Sequence, residues 1–181
     1  MDSLFLLQFA CFIFMLINAF IVALSHLHVR WENKRYERSR WMIIIALIGL
    51  AIQYVIQMGF GFRAADDSLG AVVNILVYTP CFSLISMGIY NIEATRSNLR
   101  KMILMCSGIY AAIIVAFFVG TSLHYSLYIR EGLYIMLALF CVSVIYCISM
   151  IVREMIRRRN LLETMAVTDI LPYVSHNKIF Y

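Results

Sequence analysis

The feature that most constrains this chain is a series of five windows that contain no Asp, Glu, Lys or Arg. These windows cover residues 4–24, 41–62, 68–92, 102–129 and 132–152. Each is at least about 20 residues long, which lets a helix cross a hydrocarbon core of about 30 Å. None of them alternates as a barrel strand does. Since 63% of the residues are apolar and only 14% are charged, the sequence predicts an all-α polytopic membrane protein.

Five transmembrane helices are predicted within these windows. Their spans are 4–24, 41–62, 69–92, 102–123 and 132–152, the fourth being shortened because its window is too long for one crossing. The first span is interpreted as a retained helix, because a signal peptide would begin with basic residues and Asp2 is the only charge before His26. The predicted organisation is a membrane domain over 1–153 and a cytoplasmic juxtamembrane helix with a short tail over 154–181.

Lysine and arginine residues occur in alternate loops. The basic loops and the segment after the fifth span contain Arg30, Lys34, Arg35, Arg38, Arg40, Arg96, Arg100, Lys101, Arg153, Arg157, Arg158, Arg159 and Lys178. The other two loops contain one basic residue each, Arg63 and Arg130. Because Lys and Arg are retained on the cytoplasmic side, the N-terminus is predicted to lie outside and the C-terminus inside, in a bacterial inner membrane.

The basic runs also indicate what this chain contacts. Contact with anionic headgroups of the inner leaflet explains "RWENKRYERSRW" and "VREMIRRR" without any nucleic acid. The net charge of +5 has the same explanation. The predicted partner is therefore a lipid bilayer with an anionic inner leaflet, and no direct nucleic-acid binding by this chain is expected.

The spans contain few groups that carry chemistry. A charge at the bilayer centre costs about 2.5–3.5 kcal/mol, so its absence from every predicted span counts against proton-coupled transport and intramembrane acid–base catalysis. His26 and His28 are two residues apart and do not share a helix face, which counts against a metal site. The five cysteines are predicted to be small packing residues. The sequence thus predicts a non-enzymatic protein with no catalytic residue, metal or cofactor.

The fourth span carries a stripe of small residues. Gly108, Ala112, Ala116 and Gly120 recur at every fourth position. Small side chains on one face let another helix approach closely, which favours association inside lipid. The partner is predicted to be a helix of the same chain, and self-association with a second copy is the alternative.

A second pattern inside the membrane is polar. Gln53 and Gln57 are four residues apart in the second span, and Asn74 and Tyr78 are four apart in the third. Gln57 and Asn74 each lie five residues inside the predicted outer boundary, and a short loop joins the two helices. The four side chains are therefore expected to meet in the outer half of the bundle, either as interhelical hydrogen bonds or as the floor of a ligand pocket.

The inner half of the third span has a weakly polar face. It is formed by Thr79, Ser83, Ser86 and Tyr90, and Pro80 precedes most of it. Proline is predicted to kink the helix there. Such a face serves either as a hinge or as packing in which hydroxyl groups bond to their own helix.

Beyond Val152 the sequence keeps a helical period. A weak heptad seam is formed by Ile148, Val152, Met155, Leu162 and Ala166. A turn is expected at Thr168 or Asp169, and Pro172 is expected to stop the helix. A helix that leaves the bilayer in this way can couple membrane packing to a cytoplasmic signalling partner.

Three segments resemble a known class of protein. They are "RWENKRYERSRW", "FRAADDSLGAVVNILVYTPCFSLISMGIYNIEATR" and "LETMAVTDILPYV". They resemble the N-terminal multi-helix membrane region of bacterial membrane-anchored regulators with an AraC-type helix-turn-helix domain, over about residues 4–174. The resemblance implies further membrane helices and a cytoplasmic DNA-binding domain after "LPYV". Because only seven residues follow that motif, the chain is expected to be truncated before its output domain.

Three hypotheses for the function follow from the sequence. The first is a sensor or anchor module of a signalling or transcription-regulating protein. The second is a small transporter or channel-like subunit for a neutral solute, which the lack of buried charge does not oppose. The third is an accessory packing subunit. The exit helix favours the first hypothesis.

Overall fold

Apolar sequences of this length form helices because only a helix satisfies every backbone hydrogen bond within one crossing segment. The computed structural model describes residues 3–25, 34–61, 67–94, 98–124 and 130–177, without the side chains of 67, 93, 123–124, 130–131 and 166–177. The five helices are α1 (Ser3–Leu24), α2 (Lys34–Phe60), α3 (Asp67–Glu93), α4 (Leu99–His124) and α5 (Arg130–Asn177). Each contains a segment long and apolar enough to cross a membrane. This is the architecture of a multi-pass membrane protein.

The second helix is shifted relative to the predicted span. It begins at Lys34 and ends at Phe60, whereas the charge-free window predicts 41–62. Its early start follows because the basic residues before Trp41 are themselves good helix formers. Its early end follows from Gly61, which has a φ of 59° and donates its N–H to the Gln57 carbonyl at 3.0 Å, the geometry of a glycine cap.

The fifth helix is one continuous rod of 48 residues, about 72 Å long at 1.5 Å per residue. The turn expected at Thr168 or Asp169 is wrong, because the helix continues to Asn177. Pro172 does not stop it either. A proline inside a helix removes one backbone hydrogen bond and costs about 3 kcal/mol, so it bends a helix more readily than it ends one. Pro80 likewise lies inside α3.

Neighbouring helices in the chain run antiparallel. At one end Gln8 of α1 meets Gln57 of α2, and at the other Arg40 of α2 meets the Ala23 carbonyl. The end at which α1 ends, α2 begins, α3 ends and α4 begins also carries most of the described Lys and Arg residues. We call it the basic end, and the opposite end the far end.

The central helix is α3, which packs against α2, α4 and α5. α1 packs chiefly against α2 and exposes large side chains such as Phe14 and Phe20. Two apolar clusters join α3, α4 and α5. Toward the basic end they contain Met87, Tyr90, Ala94, Met102, Cys106 and Cys147, and toward the far end Val72, Ile75, Ile113 and Met136.

Candidate functional site

The amides predicted to meet in the outer half of the bundle are in contact. The side-chain Nε2 of Gln53 donates to the Oδ1 of Asn74 at 3.2 Å, and the Nε2 of Gln57 donates to the same oxygen. A third helix contributes Gln8, whose Nε2 lies 3.4 Å from the Oε1 of Gln57. We call Gln8, Gln53, Gln57 and Asn74 the amide cluster. It connects α1, α2 and α3 near the far end.

Tyr78 belongs to a neighbouring contact. Its side chain interacts with Tyr54 of α2, and Cys11 of α1 also lies against Tyr54. Sequence reasoning did not single out Gln8, Tyr54 or Cys11. A signal for Gln8 was present, because it lies four residues inside the predicted start of its span and so at a depth close to that of Gln57.

The amide cluster can hydrogen-bond but cannot exchange protons, because primary amides are neutral donors and acceptors. Gln53 is 1% exposed. Its Oε1 has no hydrogen-bond partner among the described residues. Such an oxygen has unused capacity for one more donor. The arrangement suits interhelical packing, or the binding of a small neutral polar group.

At the basic end an arginine closes the end of α3. The Nε of Arg35 donates to the Asn91 carbonyl at 2.5 Å, and its Nη2 donates to the Ala94 carbonyl. The Asn91 Nδ2 in turn donates to the Ser39 Oγ at 2.7 Å and to the Arg35 carbonyl at 3.2 Å. Carbonyls at a helix C-terminus lack partners within the helix. Arg35 therefore ties α2 to α3 by supplying those partners.

Arg40 acts similarly toward α1. It is 6% exposed, and its guanidinium donates to the Ala23 carbonyl at 2.9 Å and to the Glu37 carboxylate at 2.5 Å. Lys34 and Arg38 are exposed. Two of the four basic residues of α2, Arg35 and Arg40, thus contact the ends of other helices, and the other two are exposed. Arg30 and the histidine pair His26 and His28 lie outside the described residues.

The basic residues of α5 are exposed. This holds for Arg153, Arg157, Arg158 and Arg159. Arg159 pairs with Glu163 at 2.8 Å, and Arg157 lies 3.6 Å from Glu154. Because the Arg159–Glu163 pair is exposed, it contributes little to stability.

The small residues of the α4 stripe differ in their exposure. Gly120 is buried and Ala116 packs against the apolar cluster at the far end, whereas Gly108 and Ala112 are exposed. Among the described residues, a Cβ at Gly108 would meet no heavy atom within 4 Å other than the nearby backbone of its own helix. One half of the stripe therefore faces its own bundle and the other half faces outward.

Two glycines let α2 and α3 approach closely. A Cβ at Gly49 would lie 2.9 Å from the Cys81 Sγ. A Cβ at Gly88 would lie 2.8 Å from Ile43 and 3.0 Å from the Ser39 carbonyl oxygen. Isolated glycines within two neighbouring spans were the available sequence signal.

The weakly polar face of α3 is buried. Thr79, Ser83, Ser86 and Tyr90 are each at most 5% exposed. Next to it, the thiols of Cys106 and Cys147 lie 3.7 Å apart. All five cysteines are free. The described residues contain no cluster of His, Cys, Asp and Glu able to hold a metal ion.

Two cavities open at the basic end. The larger, about 1140 Å³, lies between the start of α4 and α5. The smaller, about 450 Å³, lies between the starts of α2 and α4. Both are lined by basic residues together with Asn98. Neither reaches the amide cluster.

Comparison with protein-family models, curated proteins and solved structures found no match for this chain. The candidate sites above therefore stand on their own geometry.

Proposed function

We propose that this chain is the sensor or anchor module of a bacterial inner-membrane signalling protein, with its N-terminus outside and its C-terminus in the cytoplasm. The observation that carries the proposal is the continuation of α5 as one helix from the membrane bundle to Asn177. A rigid helix that begins among packed membrane helices and leaves them can transmit a change of packing over its whole length.

The outward face of α5 supports a role in association. The predicted heptad seam has four residues that are between 47% and 58% exposed, namely Ile148, Val152, Met155 and Leu162. The side chain of its fifth residue, Ala166, lies outside the described ones. Met155 and Leu162 lie beyond the predicted span 132–152, where exposed apolar residues favour a protein partner. A seam of heptad spacing suits a second helix of the same kind.

The position of α3 supports a connection between the amide cluster and α5. On one side α3 offers Asn74 to the glutamines of α2. On the other side its Val72, Ile75 and Met87 pack in the clusters that include α5. A shift of α3 caused by a ligand at the far end would move surfaces on which α5 rests, which is how packed helices couple sites.

The proposed role in transcription regulation is supported by the resemblance of the sequence to the membrane regions of AraC-type regulators. Sequencing the gene beyond codon 181 tests it directly. A helix-turn-helix segment in frame or frameshifted downstream is the expected result. Downstream sequence with no such segment would contradict the transcriptional part of the proposal.

Disulfide cross-linking in membranes tests the association of α5. In a background with the five native cysteines replaced by alanine, Leu162→Cys should give a cross-linked dimer on mild oxidation. Asn160→Cys is the matched control, because it lies about 160° around the helix on the side of the larger cavity. Equal cross-linking at both positions would show random collision rather than a seam.

A solute-uptake function is the competing proposal, favoured by the Oε1 of Gln53, which has no hydrogen-bond partner in the described part of the chain. Reconstituted vesicles distinguish the two. Uptake of a small neutral solute that is lost with Gln53→Leu would favour a transporter over a signalling module.

A further inference from the structure

The larger cavity is a groove at the basic end, where α5 passes the start of α4. Its volume is about 1140 Å³, slightly above the usual range of about 300–1,000 Å³ for ligand pockets. Its lining includes Lys101, Tyr146, Met150, Arg153, Glu154 and Arg157. We call it the basic-end groove.

Glu154 is the unusual residue of this groove. It is 8% exposed, although it stands in a run of exposed arginines. Its Oε1 lies 3.6 Å from the Nη1 of Arg157. Its Oε2 has no hydrogen-bond partner among the described residues. A buried carboxylate oxygen without a donor is costly, so a ligand that brings a donor would be stabilised here.

The same groove offers positive charge. Lys101 and Arg153 line it and are exposed, and Arg157 lines it beside Glu154. Ammonium and guanidinium groups form strong, charge-assisted hydrogen bonds to phosphate oxygens. The groove therefore presents basic side chains to an anionic group of a ligand. It presents the buried carboxylate of Glu154 to a cationic group of the same ligand.

The groove also changes character along α5. Tyr146 and Met150 lie within the charge-free window 132–152, whereas Arg153 and Glu154 follow directly after it. Basic pockets between membrane helices at such a boundary are suited to lipid headgroups. A phospholipid could place its glycerol region against Met150 and its headgroup among the charges.

We propose that the basic-end groove binds a phospholipid whose headgroup joins a phosphodiester to a primary ammonium, as in phosphatidylethanolamine. The phosphate lies on Lys101 and Arg153, and the ammonium donates a hydrogen bond to the Oε2 of Glu154. This site does not depend on the proposed signalling function, because it rests on the groove alone.

Lipid competition on the unmodified chain tests the proposal. The chain in detergent micelles is loaded with phosphatidylethanolamine labelled on its acyl chain, and unlabelled lipids with identical acyl chains displace it. Phosphatidylethanolamine should compete about tenfold better than phosphatidylcholine, whose quaternary ammonium has no N–H to donate. Equal competition, or strongest competition by phosphatidylglycerol, would overturn the proposal.

Soluble phosphoethanolamine identifies the source of the headgroup. It should compete at least about tenfold more weakly than the lipid, because it lacks the apolar part that meets Tyr146 and Met150. If it competes as well as the lipid, the ligand is a free phosphate-amine compound and the lipid site is wrong.

A pair of matched variants tests the role of the carboxylate. Glu154→Gln should remove the preference for phosphatidylethanolamine over phosphatidylcholine. Glu163→Gln is the control, because Glu163 is exposed on the same helix and pairs with Arg159 at 2.8 Å. Lys101→Gln should weaken binding of both lipids equally. Size-exclusion chromatography checks folding, and if Glu154→Gln does not fold, the lipid ranking on the unmodified chain decides. A folded Glu154→Gln that keeps the preference would overturn the proposal.

Discussion

The two sides of α3 are held in different ways. Toward α2, contact depends on glycine approaches and hydrogen bonds, through Gly88, Asn74 and Asn91. Toward α4 and α5, contact depends on apolar side chains, among them Val72 and Ile75. Lipid is as apolar as leucine, so burial alone gives little reason for membrane helices to associate. The bundle therefore uses close backbone approach and polar pairing on the α2 side of α3, and apolar packing on the side of α4 and α5.

Polar contacts also hold α1 against α2. Few residues of α1 are buried, Gln8 and Ala19. Its contacts to α2 include an amide at the far end and the Arg40 bond to the Ala23 carbonyl at the basic end. Interhelical hydrogen bonds contribute about 0.6 kcal/mol each on average. α1 is accordingly held by a few polar contacts rather than by an apolar core.

The largest effect is expected from Gly88→Val, which breaks the close approach on the α2 side. A Cβ at this position would lie 3.0 Å from the Ser39 backbone oxygen, which cannot rotate away. Overpacking typically costs 1–3 kcal/mol, and about 3 kcal/mol is expected here. Pulse proteolysis in mixed SDS–detergent micelles measures the free energy of unfolding. Gly108→Val is the control, because a Cβ there would meet no described heavy atom within 4 Å apart from the nearby backbone of its own helix. Equal losses in the two variants would contradict the assigned interface.

A smaller loss is expected from Ile113→Ala, which tests the apolar side. Ile113 is 0% exposed in the far-end cluster. The cavity left behind should lower the free energy of unfolding by about 2 kcal/mol, near the lower limit for such changes, because lipid already solvates the separated helices. The same proteolysis assay applies. Ile145→Ala, at a side chain 64% exposed, should change stability very little. A larger loss at Ile145 would place the apolar interface elsewhere.

The smallest effect is expected from Asn74→Leu, which removes the acceptor shared by Gln53 and Gln57. Two contacts at about 0.6 kcal/mol each predict a loss of about 1 kcal/mol. Asn18→Leu is the matched control, because the Asn18 amide bonds to the Phe14 carbonyl of its own helix. If assembly weakens and no solute or signal response changes, the amide cluster is a packing device and the ligand-pocket hypothesis is lost.

Much of the helical organisation could be predicted from the sequence. Four predicted spans lie within observed helices, and the second span, 41–62, overlaps α2 except at its C-terminal end. The contact of Gln53 and Gln57 with Asn74 was also predictable, because short connections place consecutive helices side by side and equal depth aligns their amides. The third partner, Gln8, was missed because depth alone does not say which way a helix is rotated.

The arginines show a different limit of sequence reasoning. Their positions at span ends are typical of headgroup contact, and this predicts nothing about their individual partners. Arg35 reaches the end of α3, whereas Arg38, three residues later, is exposed. The difference depends on where the terminal carbonyls of α3 lie in space, which no local pattern specifies.

The sequence by itself determined that this chain forms long apolar helices, because charge-free runs of this length have no other way to satisfy their backbone hydrogen bonds in lipid. Only the tertiary structure decided which face of each helix meets another. That choice depends on side-chain shape and on partners far apart in the chain, as Gly88 against Ser39 and Gln8 against Gln57 show. The tertiary structure also places the side chain of Glu154 in the basic-end groove. There its Oε2 is buried, although the neighbouring residues in the sequence are exposed.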